Sequence, residues 1–177
     1  RRGAVHIAIK SGFAILVQAG GIYINRLDRT FGLDTEHIVA GDQRIMMCSS
    51  FQHPFYPHSG SPVLASNILS VPIDAGATGE VFRHKVAHWF AALTHFKPEL
   101  ILLSAGFDAH AEDPMAHLRL TEDDYYWLSV ELKKVADTCC EGRIVSALEG
   151  GYDMSALGRS VVAHLKGLAY QVAKPAL

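Results

Sequence analysis

One stretch sets the architecture of this chain: Leu100-Ile101-Leu102-Leu103-Ser104-Ala105-Gly106-Phe107-Asp108-Ala109-His110-Ala111-Glu112-Asp113-Pro114. Its first four residues are apolar and do not alternate with polar ones, which predicts a parallel strand covered on both faces. Small residues then let the backbone turn just before Asp108. Because α/β proteins bind ligands beyond the carboxyl ends of their strands, this position favours a functional carboxylate. An N-cap of the next helix is the alternative role for Asp108.

A second strand of the same kind is predicted over residues 143–148, and it ends in Glu149-Gly150-Gly151-Tyr152-Asp153. A double glycine lets a loop approach a pocket closely, and the phenol of Tyr152 can then donate a hydrogen bond to a developing oxyanion. The alternative is a tight turn that leaves Tyr152 packed on the surface.

Hydrophobic periodicity predicts the remaining elements. Further strands are expected at residues 13–17, 44–49 and 68–71, and an aromatic loop at residues 51–62. A helix over residues 80–95 would bury Val81, Val86, Trp89, Phe90 and Leu93. Thr121 begins a capping-box pattern for a helix to about residue 140, and a last helix spans residues 155–172. This alternation predicts a three-layer α/β fold, with a parallel sheet and helices on both faces.

Composition limits the classes of function. With 177 residues, 49% of them hydrophobic, the chain can form one full core. A net charge of -2 without a Lys/Arg cluster argues against direct binding to nucleic acid, and no apolar run is long enough to span a membrane. Three cysteines without Cys-x-x-Cys spacing suggest a reducing, intracellular location, cytoplasmic or nuclear. The oligomeric state stays open.

Several common catalytic signatures are missing from the sequence, among them Gly-x-Ser-x-Gly, the phosphate loop and His-Glu-x-x-His. Histidines are plentiful, and each has an ordinary interpretation. His84 and His88 are four residues apart and predict a solvated helix face rather than a metal pair. His110 could pair with Asp108 on a metal, although a hydrogen bond to the backbone is the more frequent role of a loop histidine. His53 and His58 are candidates for a pocket rim.

Together these segments resemble the C-terminal half of the catalytic domain of the histone deacetylase and acetylpolyamine amidohydrolase family, nearest to its class II and bacterial members. They occur in the family's order over about residues 35–168, and the matching stretches are Cys48-Ser49-Ser50, Pro54-Phe55-Tyr56-Pro57, Ser104-Ala105-Gly106-Phe107-Asp108-Ala109-His110, Asp113-Pro114, Leu120-Thr121-Glu122-Asp123-Asp124-Tyr125 and Leu148-Glu149-Gly150-Gly151-Tyr152-Asp153. The resemblance implies an arginase-like α/β fold, incomplete at its N-terminus. Residues 35–177 would be the C-terminal part of the catalytic domain, and residues 1–34 match poorly.

The resemblance also implies a reaction, in which zinc-activated water removes acetyl groups from acetyl-lysine of histones or other proteins, or from acetylated polyamines. Asp108 would bind the zinc, and Tyr152 would donate a hydrogen bond to the substrate carbonyl. The residues that the resemblance places at the substrate tunnel are Phe55, Tyr56, Met115, Gly150 and Gly151.

One part of the sequence departs from the family. If Thr35 keeps register, Asp28 matches a second zinc-binding aspartate, but Thr30 stands where the family has a ligand histidine. Zinc prefers imidazole nitrogen to a neutral hydroxyl, so binding should be weakened or absent. The family's general-base histidines have no match upstream. We therefore expect this chain to be inactive alone, as a truncated or mis-assembled piece of an active enzyme or as a degenerate paralogue. The alternative function is a non-catalytic binding lobe, or pseudoenzyme.

Overall fold

The computed structural model describes residues 39–54 and 65–171 with their side chains, and residues 14–19 as backbone. Five strands form one parallel sheet, namely β1 (Ala14–Ala19), β2 (Met46–Gln52), β3 (Ile68–Ile73), β4 (Leu100–Ala105) and β5 (Ile144–Leu148). Their order across the sheet is β3-β2-β1-β4-β5, and each neighbouring pair is parallel. The predicted parallel α/β class is confirmed.

The described part of the chain contains four helices of at least two turns, namely α1 (Gly79–Val86), α2 (His88–Phe96), α3 (Glu122–Cys139) and α4 (Met154–Leu168). Helix α3 begins where the capping pattern predicts. The Asp124 carboxylate accepts hydrogen bonds from the Thr121 backbone N–H at 2.8 Å and from its hydroxyl at 3.1 Å. Over the described residues, none of the helices has the length and apolar character that crossing a bilayer requires.

The helix predicted over residues 80–95 is two helices that meet at Ala87. Trp89 and Leu93 are fully buried as expected, but the prediction for Val81 is wrong, since it is 41% exposed. Phe82 occupies the buried position instead. The reason is the spacing of the buried residues, because Phe82 is four residues before the buried Val86 and aligns with it along one face.

Strand β2 runs three residues beyond its predicted end at residue 49. The extension enters the loop that was predicted to begin at residue 51, and its polar residues Ser50 and Gln52 are buried. The Gln52 side-chain oxygen accepts a hydrogen bond from the His117 backbone N–H at 2.8 Å. A buried polar side chain with such a partner is compatible with a strand, so tertiary contacts override the local composition.

The core is continuous on one face of the sheet. Ile101 and Leu103 of β4 join a cluster with buried residues from α1, α2 and α3 and partly buried ones from α4. On the opposite face a smaller cluster contains Met47 and Ile68. The prediction that β5 is buried like β4 is wrong, since Leu148 is 61% exposed. In the described part of the chain, β5 pairs on one side alone and lacks cover on one face.

Candidate active site

The loop that follows β4 carries Asp108 and is anchored by Phe107. The ring of Phe107 is 3% exposed and lies edge-on to Tyr125 at 5.0 Å and to His164 at 5.8 Å between ring centroids. The Tyr125 hydroxyl donates a hydrogen bond to the Phe107 carbonyl oxygen at 3.1 Å. This anchoring holds the next residue, Asp108, fully buried at the carboxyl end of β4.

The loop that follows β5 lies directly against Asp108. Its backbone joins the neighbouring loop twice, because Glu149 N–H donates to Ala105 O at 3.0 Å and Phe107 N–H donates to Gly150 O at 2.9 Å. A Cβ on Gly150 would lie 2.8 Å from the carboxylate carbon of Asp108, closer than side-chain carbons approach one another. The close approach that the double glycine predicts is therefore an approach to Asp108.

Gly151 and Tyr152 complete the second loop. Gly151 has a φ of +135°, a conformation that L side chains rarely adopt, and a Cβ there would lie 2.8 Å from Leu157 Cδ1. Tyr152 is 39% exposed. Partial burial and the negative charges of Asp108 and Asp113 raise the pKa of the Tyr152 phenol. The phenol therefore stays protonated at neutral pH and remains a hydrogen-bond donor.

Asp113 joins the two loops, although the sequence analysis gave it no role. Its carboxylate is buried and accepts hydrogen bonds from three backbone N–H groups, those of Met115 at 2.9 Å, Tyr152 at 2.7 Å and Asp153 at 3.2 Å. The signal in the sequence was the Asp113-Pro114 dipeptide, since an aspartate before proline commonly bonds to the backbone of a turn. The identity of its distant partners depends on the fold.

An ion-pair network supports these loops from the helix side. Arg159 of α4 bonds to Glu112 at 2.8 Å and also to Glu122 at the start of α3. The hydrogen bond from Arg159 lowers the pKa of Glu122 to about 2. His110 is 2% exposed, and its Nδ1 accepts a hydrogen bond from the Glu112 backbone N–H at 3.1 Å. The structure thus agrees with the backbone-bonded interpretation of His110.

The other histidine candidates belong to other elements of the fold or lie outside the described residues. His84 and His88 are exposed, as a solvated face predicts, but they belong to two helices and not to the single helix that was expected. His53 is half-buried, with its ring edge-on to Phe51 at 6.3 Å.

Met115, predicted at the tunnel, is 45% exposed. Four further predicted positions, Asp28, Thr30, Phe55 and Tyr56, and the rim candidate His58 lie outside the described residues.

The described residues do not by themselves form a zinc site. A catalytic zinc requires three protein ligands, whereas Asp108 is the candidate ligand at the junction of the loops. Over residues 39–54 and 65–171, no group of three His, Cys, Asp or Glu side chains is arranged to hold a metal ion. The donor chemistry of Asp108, a buried carboxylate oxygen, is compatible with zinc but incomplete.

Comparison with known proteins identifies related sequences and folds. The histone deacetylase domain matches residues 8–168. Type-2 histone deacetylase 2 of Dictyostelium discoideum is 33% identical over 186 aligned positions, which cover 94% of this chain and 10% of that protein. Histone deacetylase 14, chloroplastic, of Arabidopsis thaliana is 34% identical over 158 positions, or 83% of this chain and 36% of that protein.

A solved structure has the same fold. The acetylpolyamine aminohydrolase of Burkholderia pseudomallei superimposes with a TM-score of 0.72 at 20% identity, over 90% of this chain and 45% of that one. The chain thus spans less than half of the length of each of these three relatives.

Proposed function

Because the chain belongs to the histone deacetylase family, we propose that it supplies the buried carboxylate and the phenol of a deacetylase-type amide hydrolase. Acetylated lysine side chains and acetylated polyamines are the two proposed substrate classes, and the names of the relatives support both. The observation that carries the proposal is the junction between the loops after β4 and β5, where Gly150 lies against Asp108.

Tyr152 is proposed to stabilise the negative charge that forms on the carbonyl oxygen of the acetamide. Tyr152 is 39% exposed, so part of the residue is accessible to a substrate. Its raised pKa keeps the proton on the phenol. A positioned donor of this kind typically contributes about 10²- to 10³-fold to kcat. Phe55, Tyr56, Met115, Gly150 and Gly151 are proposed to border the tunnel that leads to it.

Asp108 is proposed to bind a zinc ion together with Asp28. Supporting this role are the complete burial of Asp108 and the absence of room for a side chain at Gly150. Thr30 would leave the site without its expected imidazole, which predicts weak zinc binding. We therefore propose that the chain alone turns over slowly or not at all.

The first test replaces Tyr152 by Phe, which removes one hydroxyl. Turnover of an acetyl-lysine peptide and of an N-acetylated polyamine should fall by about 10²- to 10³-fold. The matched control is Tyr126→Phe, because Tyr126 is also 39% exposed and lies on α3. Unchanged turnover in Tyr152→Phe would remove the phenol from the mechanism. If the native chain is below detection, the same pair of variants is compared in a Thr30→His background.

The second test concerns the metal. Zinc content after equilibration with the ion should fall in Asp108→Asn and stay unchanged in Asp123→Asn, since Asp123 is exposed at the start of α3. Thr30→His should raise both zinc affinity and turnover. Zinc retained by Asp108→Asn would overturn the ligand assignment. No zinc and no turnover in any variant, with binding of an acetylated peptide preserved, would favour the non-catalytic binding lobe.

A further inference from the structure

The Asp113 carboxylate is held by backbone N–H groups from two different loops. Its side chain is buried, and each hydrogen bond that the structure gives it comes from a backbone N–H group, of Met115, Tyr152 or Asp153. Hydrogen bonds from N–H groups to an ionised acceptor are shorter and stronger than neutral ones. The Tyr152 bond is 2.7 Å long, at the short end of the range for an N–H donor.

The two oxygens of Asp113 serve different loops. Oδ1 accepts from Met115, two residues further along its own loop. Oδ2 accepts from Tyr152 and Asp153 of the loop that follows β5. One carboxylate thus connects the backbone of the proposed tunnel residue with the backbone of the proposed phenol.

Tyr152 needs such an anchor because of its neighbours in the chain. Gly150 is fixed by its hydrogen bond with Phe107, and Asp153 begins helix α4, where its side chain accepts from the Ala156 N–H at 2.7 Å. Between these points lies Gly151, which has a positive φ and, because it lacks a Cβ, allows the backbone more conformations than other residues do. The hydrogen bond to Asp113 fixes the Tyr152 backbone on the far side of that glycine.

We propose that Asp113 is a positioning residue, which orients Tyr152 and Met115 around the substrate through their backbone N–H groups. This inference rests on the proposed function for its consequence in catalysis. Its geometric content, the restraint on the Tyr152 backbone, can be measured without any turnover.

Asp113→Asn is the decisive variant, because an amide keeps the shape of the side chain but only one of its two atoms can accept. Either the Met115 bond or the Tyr152 and Asp153 bonds must be lost. We expect faster hydrogen exchange at one of these sets of amides, together with a shift of the Tyr152 ring Cζ resonance. The matched control is Asp124→Asn, a 4% exposed aspartate that caps α3, which should lower stability but leave that resonance unchanged.

The kinetic test is a double-mutant cycle with Tyr152→Phe, measured in the Thr30→His background if turnover of the native chain is below detection. A misplacement of about 1 Å can cost 10²-fold in rate, so Asp113→Asn should lower kcat by up to about 10²-fold with a smaller change in KM. In the Tyr152→Phe background the same substitution should have little further effect on kcat. Equal losses in both backgrounds would mean that Asp113 acts on stability alone, and would overturn the inference.

Two further results separate this inference from the proposed function. Unchanged exchange and an unchanged Tyr152 resonance in Asp113→Asn would overturn the positioning role even in an active deacetylase. Absence of turnover in the Thr30→His background, despite the expected spectral changes, would count against the proposed function instead. If Asp113→Asn does not fold, Asp113→Glu retains the charge with a longer reach, and it should displace the Tyr152 resonance while keeping partial protection of the amides.

Discussion

The two ends of the sheet differ in how their strands are covered by the described residues. At the end formed by β2 and β3, Ile73 is fully buried on the helix-covered face, and Met47 and Ile68 are buried on the other. At the end formed by β5, Val145 is 55% and Leu148 61% exposed. Both ends have apolar sequences, so the difference comes from the elements that pack on them.

The proposed site lies between the covered and the uncovered end of the sheet. Asp108 follows β4, which has neighbours on both sides, and it is fully buried. Tyr152 follows β5 and is 39% exposed. Helix α4, which continues from that loop, also presents apolar residues to solvent, with Met154 78% and Leu165 56% exposed. The covered part of the sheet thus carries a buried carboxylate, and the uncovered end carries a partly exposed tyrosine.

The largest effect is expected from truncating one leucine at each end. Leu93→Ala removes a fully buried side chain of α2 and should lower the free energy of unfolding by about 2 to 5 kcal/mol, through lost transfer energy and the cavity left behind. Leu148→Ala, at the 61% exposed position, should cost within about 0.5 kcal/mol. Urea denaturation of both variants and the native chain measures the difference.

A large cost for Leu148→Ala would show that β5 is covered in solution, and the contrast between the two ends would fail. A small cost for both variants would mean that the core around α2 is loosely packed. The comparison uses the same change of residue type at both positions, so differences in side-chain chemistry do not enter.

The sequence predicts best where two independent signals coincide. Strands β4 and β5 are each an apolar run followed by small residues and an acidic or aromatic side chain, and the parallel-sheet rule then places Asp108 and Tyr152 at one edge. Helix α3 has both an apolar period and a capping pattern. In each case local preference and tertiary packing favour the same structure.

Three features could not be predicted, because they depend on contacts between distant residues. The extension of β2 requires the bond between Gln52 and His117, which are 65 residues apart. The exposure of Val145 depends on what covers the sheet, and its own strand gives no indication of it. The link from Asp113 to Tyr152 joins residues 39 apart, so the Asp-Pro signal could show a turn but not its distant partner.

One face of β5 is nevertheless covered by α4, because His164 of that helix forms a hydrogen bond with Ser146 of the strand. The Ser129 hydroxyl donates to the Tyr125 carbonyl oxygen at 2.6 Å, so it accepts from His164 Nδ1–H at 2.7 Å. His164 Nε2 is then an acceptor for the Ser146 hydroxyl of β5 at 2.9 Å. These bonds require the neutral imidazole, and burial likewise lowers the pKa of His164.

The packing of α4 on β5 should therefore make a smaller, pH-dependent contribution to the free energy of unfolding. Because the folded-state pKa of His164 lies below its unfolded value, near 6.5, the unfolded chain binds more protons at acidic pH, and the free energy of unfolding should fall as the pH drops from 7 to 5. His164→Gln should reduce this pH dependence, whereas His88→Gln, at an exposed position, should preserve it. Urea denaturation across that pH range gives the slope of the free energy of unfolding against pH. Equal slopes in His164→Gln and the native chain would mean that the imidazole is solvated. In that case α4 would not cover β5 as tightly as the hydrogen bond between Ser146 and His164 requires.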